Sequence, residues 1–222
     1  VGSTLLGGYE TNLRNDLKDL DATNYLWQTS ELDRHLAHAV ADYQRILPLV
    51  GSTTFICQAI RSPGPSSPIT TRQVIEPPAG YLWALRIEHP VDQLPPLYRI
   101  FREEFPQLGS FYFPQGDPPA VGDVMRLWFA QAHALSATQS TILQEHEELI
   151  TLGGVSYAAD AATRYAIGRL NASLWTPRGL QAFALEKKKE YTAWLEQLRA
   201  SYGTSGSPMV QWGEWPWDWN RV

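Results

Sequence analysis

Twelve of the sixteen prolines fall between Pro63 and Pro119. Proline fixes φ, lacks an amide donor and clashes with the preceding turn, so no long helix can cross that stretch. On either side proline is sparse and apolar residues recur at helical spacing. This asymmetry divides the 222 residues into three zones: helical from about Tyr9 to Pro48, strand-rich from about Thr53 to Gln131, and helical again from about Ser140 to Ser201.

In the first zone Leu13, Leu17 and Leu20 predict a helix, with Thr11 or Asn12 as caps. A second helix is expected to open at Thr29 or Ser30, where Ser30 and Asp33 have capping-box spacing. Its apolar stripe is Leu32, Leu36, Ala39, Val40, Tyr43 and Leu47, and Pro48 ends it.

The middle zone carries short runs with strand character, TFICQAIR, TTRQVIE, YLWALRIE, SFYF and DVMRLWFAQA. In YLWALRIE, Tyr81, Trp83, Leu85 and Ile87 are expected to face inward while Arg86 and Glu88 face solvent. LYRIFREEF suits either a helix or a strand. In the third zone Ser140 or Thr141 can cap ILQEHEELITL, which Gly153-Gly154 is expected to interrupt before an alanine-rich helix. Thr176-Pro177 opens the last helix. Its apolar face is Leu180, Phe183, Ala184, Tyr191, Trp194, Leu195 and Leu198, and Gly203 ends it.

The fold class expected is therefore α+β: a mainly helical bundle with an inserted small antiparallel β domain and an extended C-terminal arm. Neither pair of helices has enough core alone, so residues 1–52 and 132–203 are expected to close into one bundle. Residues 53–131 form the insertion and residues 204–222 the arm.

Chemistry is sparse. The single cysteine, Cys57, excludes an intramolecular disulfide and a multi-cysteine zinc site, and its strand-like flank makes it a small core residue. The net charge of −5 gives no exposed basic face for DNA, and no apolar run reaches the ~20 residues of a membrane span. These features predict a soluble protein made in a reducing cytosol. Glu31, His35, His38 and Asp42 share one helical face and are the best metal candidates. A bundle metal site, however, needs Glu-x-x-His pairs on two helices, and a polar stripe explains the same four residues. Glu145, His146, Glu147 and Glu148 sit where acids suit a helix start. No G-x-S-x-G elbow, phosphate loop or zincin motif occurs, so no catalytic residue and no cofactor is expected.

The order of segments carries a resemblance. A leucine-spaced helix around Leu13-Arg14-Asn15-Asp16-Leu17 precedes Trp27 and Ser30-Glu31-Leu32-Asp33-Arg34-His35-Leu36. Later come His133-Ala134, Ser140-Thr141-Ile142, Glu148-Leu149-Ile150, Gly153-Gly154 and the alanine-rich helix from Ala158. This pattern, over residues 10–50 and 130–200, resembles the head–tail connector (adaptor) proteins of tailed double-stranded DNA bacteriophages. The resemblance implies a helical bundle with a β insertion and no enzyme activity. It implies a virion protein of the neck, assembled in the host cytoplasm, that docks on the portal protein and meets a tail or neck protein. It also implies a self-associated ring of about twelve copies that extends the DNA channel. At −5 per copy such a ring carries about −60, which lets DNA slide without sticking. The alternative reading is a binding module or hydrolase-like enzyme with an aromatic ligand groove made of Tyr81, Trp83 and Trp128.

The terminus, QWGEWPWDWNRV, holds Trp212, Trp215, Trp217 and Trp219 behind a Gly/Ser/Pro hinge. In an extended strand the last three share one face. Burying four tryptophans contributes roughly 15–25 kcal/mol as an upper bound. Ordering a dozen residues costs roughly 12–24 kcal/mol. The two nearly cancel, so the segment is expected to order only in a preformed groove, as a partner-binding arm or folded back over its own core.

Overall fold

A computed structural model describes residues 4–23, 25–58, 72–105, 109–113, 119–167 and 177–204. The four tail tryptophans, Trp212, Trp215, Trp217 and Trp219, lie outside the described residues, as do residues 205–222 of the arm expected over 204–222; Thr204 itself ends the last helix. The chain is mixed α+β and divides into two units, Val1–Leu47 with His133–Val222, and Pro48–Ala132.

The first unit is helical. Helix α1, Leu6–Leu17, buries Tyr9, Leu13 and Leu17. It starts five residues before Thr11 and ends at Lys18, whose φ of 55° turns the chain. Leu20 is therefore not a continuation of the stripe and is 62% exposed. Helix α2, Thr29–Ile46, has Gln28 as its N-cap, in a capping box with Glu31 instead of Ser30 with Asp33. Ser30 lies inside the first turn, whereas the Glu31 side chain reaches back to the Gln28 amide at 3.0 Å. The α2 stripe buries Leu32, Leu36, Ala39, Val40 and Tyr43, as its period requires, with His35 added.

After a 3-10 turn at Gln144–His146, helix α3 runs from Glu147 to Ile167 without a break at Gly153-Gly154. The glycines do not interrupt the helix; they admit neighbours to its axis. A Cβ on Gly153 would stand 2.7 Å from the Ala39 Cβ and 2.7 Å from Tyr191 Cε2, and one on Gly154 would stand 2.9 Å from Leu13 Cδ2. Each glycine costs helix propensity of ~1 kcal/mol, offset by the close approach of three other helices. The third of these is α4, Pro177–Thr204, which buries Leu180, Ala184, Tyr191 and Leu198. The core thus joins residues from both ends of the chain around α3.

The second unit is entirely antiparallel. Strands β1 (Leu49–Ile56), β3 (Tyr81–Glu88), β4 (Tyr98–Arg99) and β7 (Val124–Gln131) form a sheet ordered β1-β7-β3-β4. Strands β2 (Arg72–Val74), β5 (Arg102–Phe105) and β6 (Ser110–Tyr112) form a second sheet ordered β2-β6-β5. LYRIFREEF, ambiguous in sequence, contributes β4 and β5. Cys57, Ile87, Phe111, Phe113, Met125, Leu127 and Phe129 make the core. Burial raises the affinity of the Cys57 thiol for its proton, which suits a packing residue more than a nucleophile.

YLWALRIE departs from simple alternation. Register shifts between Tyr81 and Trp83, and between Ala84 and Arg86, break the period, and Glu88 is buried. Its carboxylate accepts the Asp92 amide at 3.0 Å and Trp128 Nε1–H at 3.2 Å, and pairs with Arg126 at 3.4 Å. A buried carboxylate needs such donors, and these come from elsewhere in the chain.

Candidate functional site

The polar stripe of α2 is divided among four tasks. Glu31 caps its own helix. His35 is buried, and burial, followed by Arg34 and His38, lowers its affinity for a proton against the pull of Glu31. His38 packs its ring on Tyr157, with centroids 5.4 Å apart. Asp42 accepts a very short hydrogen bond from the Tyr157 hydroxyl, a long one from Tyr191 at 3.4 Å, and pairs with Arg45. Burial and the Asp42 carboxylate push Tyr157 up to about 12, so it stays protonated and donates. Among the described residues no group of three or more His, Cys, Asp or Glu is placed to hold a metal ion.

Next to Asp42 in sequence, Tyr43 joins two histidines that lie some ninety to a hundred residues away. Its hydroxyl lies 2.8 Å from His146 Nδ1 and its ring packs on His133, with centroids 4.9 Å apart. Burial raises the proton affinity of Tyr43, so the phenol donates, Nδ1 accepts, and the His146 proton sits on Nε2. His133 Nε2 faces the Leu47 carbonyl at 2.8 Å and must donate. Its Nδ1 lies 3.1 Å from Thr141 Oγ1, an oxygen that also accepts the Ala134 amide at 2.8 Å. The network ties α2 to the residues that precede α3.

Burial lowers the proton affinity of His146 as well, with Glu145 opposing and His133 adding to the effect. Groups depressed in the folded state contribute stability that is full above the ordinary histidine range, near 6.5, and is lost as pH falls through their folded values. Glu103 in the β unit has the opposite sign. Burial raises it, against the bonds donated by Tyr81 and the Ala84 amide, so its penalty is relieved as pH falls. Glu10 in the helical unit is also raised by burial and by Asp33, and so opposes the histidines. Between pH 7 and 5.5 the helical unit is therefore expected to lose stability while the β unit holds or gains. Each histidine contributes at most about 1.4 kcal/mol per pH unit. Hydrogen exchange, resolved by unit and corrected for intrinsic rates, reads this. A His35→Leu, His146→Gln chain should flatten the helical response, and an unchanged slope would refute the assignment.

Tyr81 and Trp128 do not share one groove. Tyr81 packs on Phe129 with centroids 5.6 Å apart, on the core face, and donates to Glu103. Trp128, the next residue in β7, lies on the opposite face, where the Arg86 guanidinium stands 4.7 Å from its ring and 4.8 Å from that of Tyr98. Alternation along a strand separates the two rings.

In the helical unit a groove of about 450 Å³ is lined by His146, Leu149, Trp194, Gln197, Leu198, Ser201 and Tyr202. The i, i+4, i+8 spacing of Trp194, Leu198 and Tyr202 is its sequence signal. That signal is easily missed, because Tyr202 stands where the last helix was expected to end. His146 and Tyr202 face each other edge-on at 6.2 Å.

Together these features define a mixed α+β chain whose helical unit is made from both its ends. No protein-family model matches the chain, and no curated protein sequence does. Among solved structures it is similar to a chain described as "Neck of empty GTA particle computed with C6 symmetry", at 12% identity and TM-score 0.30, covering 83% of this chain and 88% of that one. A second, "Neck of native GTA particle computed with C12 symmetry", is 13% identical at TM-score 0.25, covering 84% and 93%. Both likenesses are remote. No helix among the described residues is long and apolar enough to cross a membrane.

Proposed function

We propose that this chain is a structural adaptor of a tailed-phage-like particle. In this reading it docks on a portal ring, associates with copies of itself and continues the DNA channel toward a neck or tail protein. One observation carries the reading: both chain ends build a single helical core around α3, with the β unit set into the chain between α2 and α3. That is the element order the adaptor resemblance implies. The polar side chains with the best geometry, Asp42, Tyr43, His133 and His146, are engaged in bonds within the unit, as suits an assembly part. Trp212, Trp215, Trp217 and Trp219 are the partner-binding residues of this reading.

The test is to mix the purified chain with portal rings and image the product by negative stain. Added density stacked coaxially on the portal is the expected result. Deleting residues 205–222 should leave a folded protein that no longer joins. Chains that stay monomeric at every ratio, with bare portals beside them, would remove the reading.

A further inference from the structure

The two sheets of the β unit end in edge strands that differ in how they are guarded. Strand β4, Tyr98–Arg99, is two residues long and follows Pro95-Pro96. Strands β2, Arg72–Val74, and β5, Arg102–Phe105, are short and carry charge, and β5 shifts register between Glu103 and Phe105. Shortness, charge, proline and bulges are the means by which sheet edges avoid pairing with other chains. Strand β1, Leu49–Ile56, has none of them. LVGSTTFI is eight residues long, uncharged, without proline and in unbroken register with β7.

The outer edge of β1 is open among the described residues. Cys57, just past the strand, donates its amide to the Asp123 carbonyl and accepts the Gly122 amide, so odd-numbered residues turn their backbone groups toward β7. Gln58 points the other way and bonds the Gln73 side chain with both its groups, at 2.9 Å. Val50, Ser52, Thr54 and Ile56 face outward like Gln58, and no described residue bonds their amides or carbonyls. Their side chains share one exposed face, Val50 at 48% and Ile56 at 59%. Apolar, hydroxyl, hydroxyl, apolar is an order that reads the same in both directions. An antiparallel copy centred on Thr53 therefore sets Val50 on Ile56 and Ser52 on Thr54, like on like, as cross-strand pairs that stabilise a sheet. The same register brings the outward-facing residues opposite one another, so each pair exchanges both its hydrogen bonds. The strand has no charge to oppose the approach.

We propose that β1 docks on a second copy of itself, the two strands running antiparallel about Thr53. Such a two-fold contact closes as a dimer. The inference goes beyond the adaptor reading and does not rest on it, because it concerns the chain without other partners.

Sedimentation equilibrium of the full-length chain tests it, and a monomer–dimer equilibrium is the expected result. Ser52→Lys with Thr54→Lys sets lysine against lysine and should weaken dimerisation at least about tenfold. Ser52→Lys with Thr54→Glu sets lysine against glutamate and should restore it. Circular dichroism checks that both variants fold. Should either fail, Thr53→Cys replaces them. Thr53 meets its own copy in a pair with Cα atoms ~4.5 Å apart, within disulfide reach. Oxidation should then give a covalent dimer that Val50→Cys does not give. A chain that stays monomeric at every concentration would overturn the proposal. So would double variants that dimerise equally well or equally poorly, or a Thr53→Cys chain that does not cross-link.

Discussion

Replacing Gly153 by valine is expected to destabilise the helical unit by about 3 kcal/mol or more. The Cβ alone would stand 2.7 Å from the Ala39 Cβ and 2.7–2.8 Å from two Tyr191 ring atoms. Ala39 is fully buried and Tyr191 nearly so. The Ala39 methyl is fixed to its backbone and cannot yield without moving α2. Tyr191 also reaches the Ala39 carbonyl at 3.4 Å, so displacing its ring loosens a second contact. Valine gains only a few tenths of a kcal/mol in helix propensity over glycine, far below the overpacking cost. Alanine is the finer probe. Gly153→Ala should destabilise despite its better propensity, and Ala39→Gly in the same chain should recover part of the loss. The coupling between the two should exceed about 0.5 kcal/mol. Urea unfolding followed by far-UV circular dichroism measures all four chains. A stabilised Gly153→Ala protein would show that the helices do not cross as closely as described.

The second large effect belongs to Asp19. It is 7% exposed and closes the α1–α2 loop on itself. Its oxygens accept Arg14 Nη1–H at 2.7 Å, the Leu26 amide at 2.7 Å and the Trp27 amide at 3.3 Å. Removing one member of a buried pair leaves the other charge uncompensated, at about 3–5 kcal/mol. Asp19→Ala is expected to cost that amount, since the Arg14 side chain is itself only 11% exposed. Asp19→Asn keeps acceptor capacity and should cost less. Arg14 also donates to the Trp27 carbonyl at 3.1 Å and lies 3.7 Å from the centre of the Tyr25 ring. The variant should therefore release residues 20–27 as a group, read as faster amide exchange there than in the rest of the unit. A uniform loss of protection would mean that Asp19 acts on the whole core and not on the loop.

Both predictions rest on side chains whose importance is hard to see in one dimension. Gly153-Gly154 reads locally as a helix breaker, because glycine propensity is a local quantity. Whether a glycine breaks a helix or admits a neighbour depends on what approaches it, here Leu13, Leu36, Ala39 and Tyr191. Glu88 reads as solvent-facing by alternation, but bulges in β3 and donors from Trp128 and Arg126 draw it inside. Gln28 is not a usual cap, and its role follows from Glu31 reaching back across the first turn. The groove was only half legible: Trp194 and Leu198 stand on the expected apolar face, while His146 comes from a segment some fifty residues earlier.

Outside LYRIFREEF, which suited helix and strand alike, the sequence by itself determined which stretches are helical and which extended, and hence the α+β class. Proline density and the periods of apolar residues act on the backbone locally, and tertiary packing overrode the local signals only at the bulges of β3 and at Gly153-Gly154. It also determined that the terminus is rich in tryptophan. Only the tertiary structure decided which polar residues are spent on the fold. Asp42 went to two tyrosines, Tyr43 to His146, and Asp19 to Arg14 and its loop. Most of these pairings join residues far apart in the chain, and a buried charge or hydroxyl takes whichever partner the packing brings within hydrogen-bond reach.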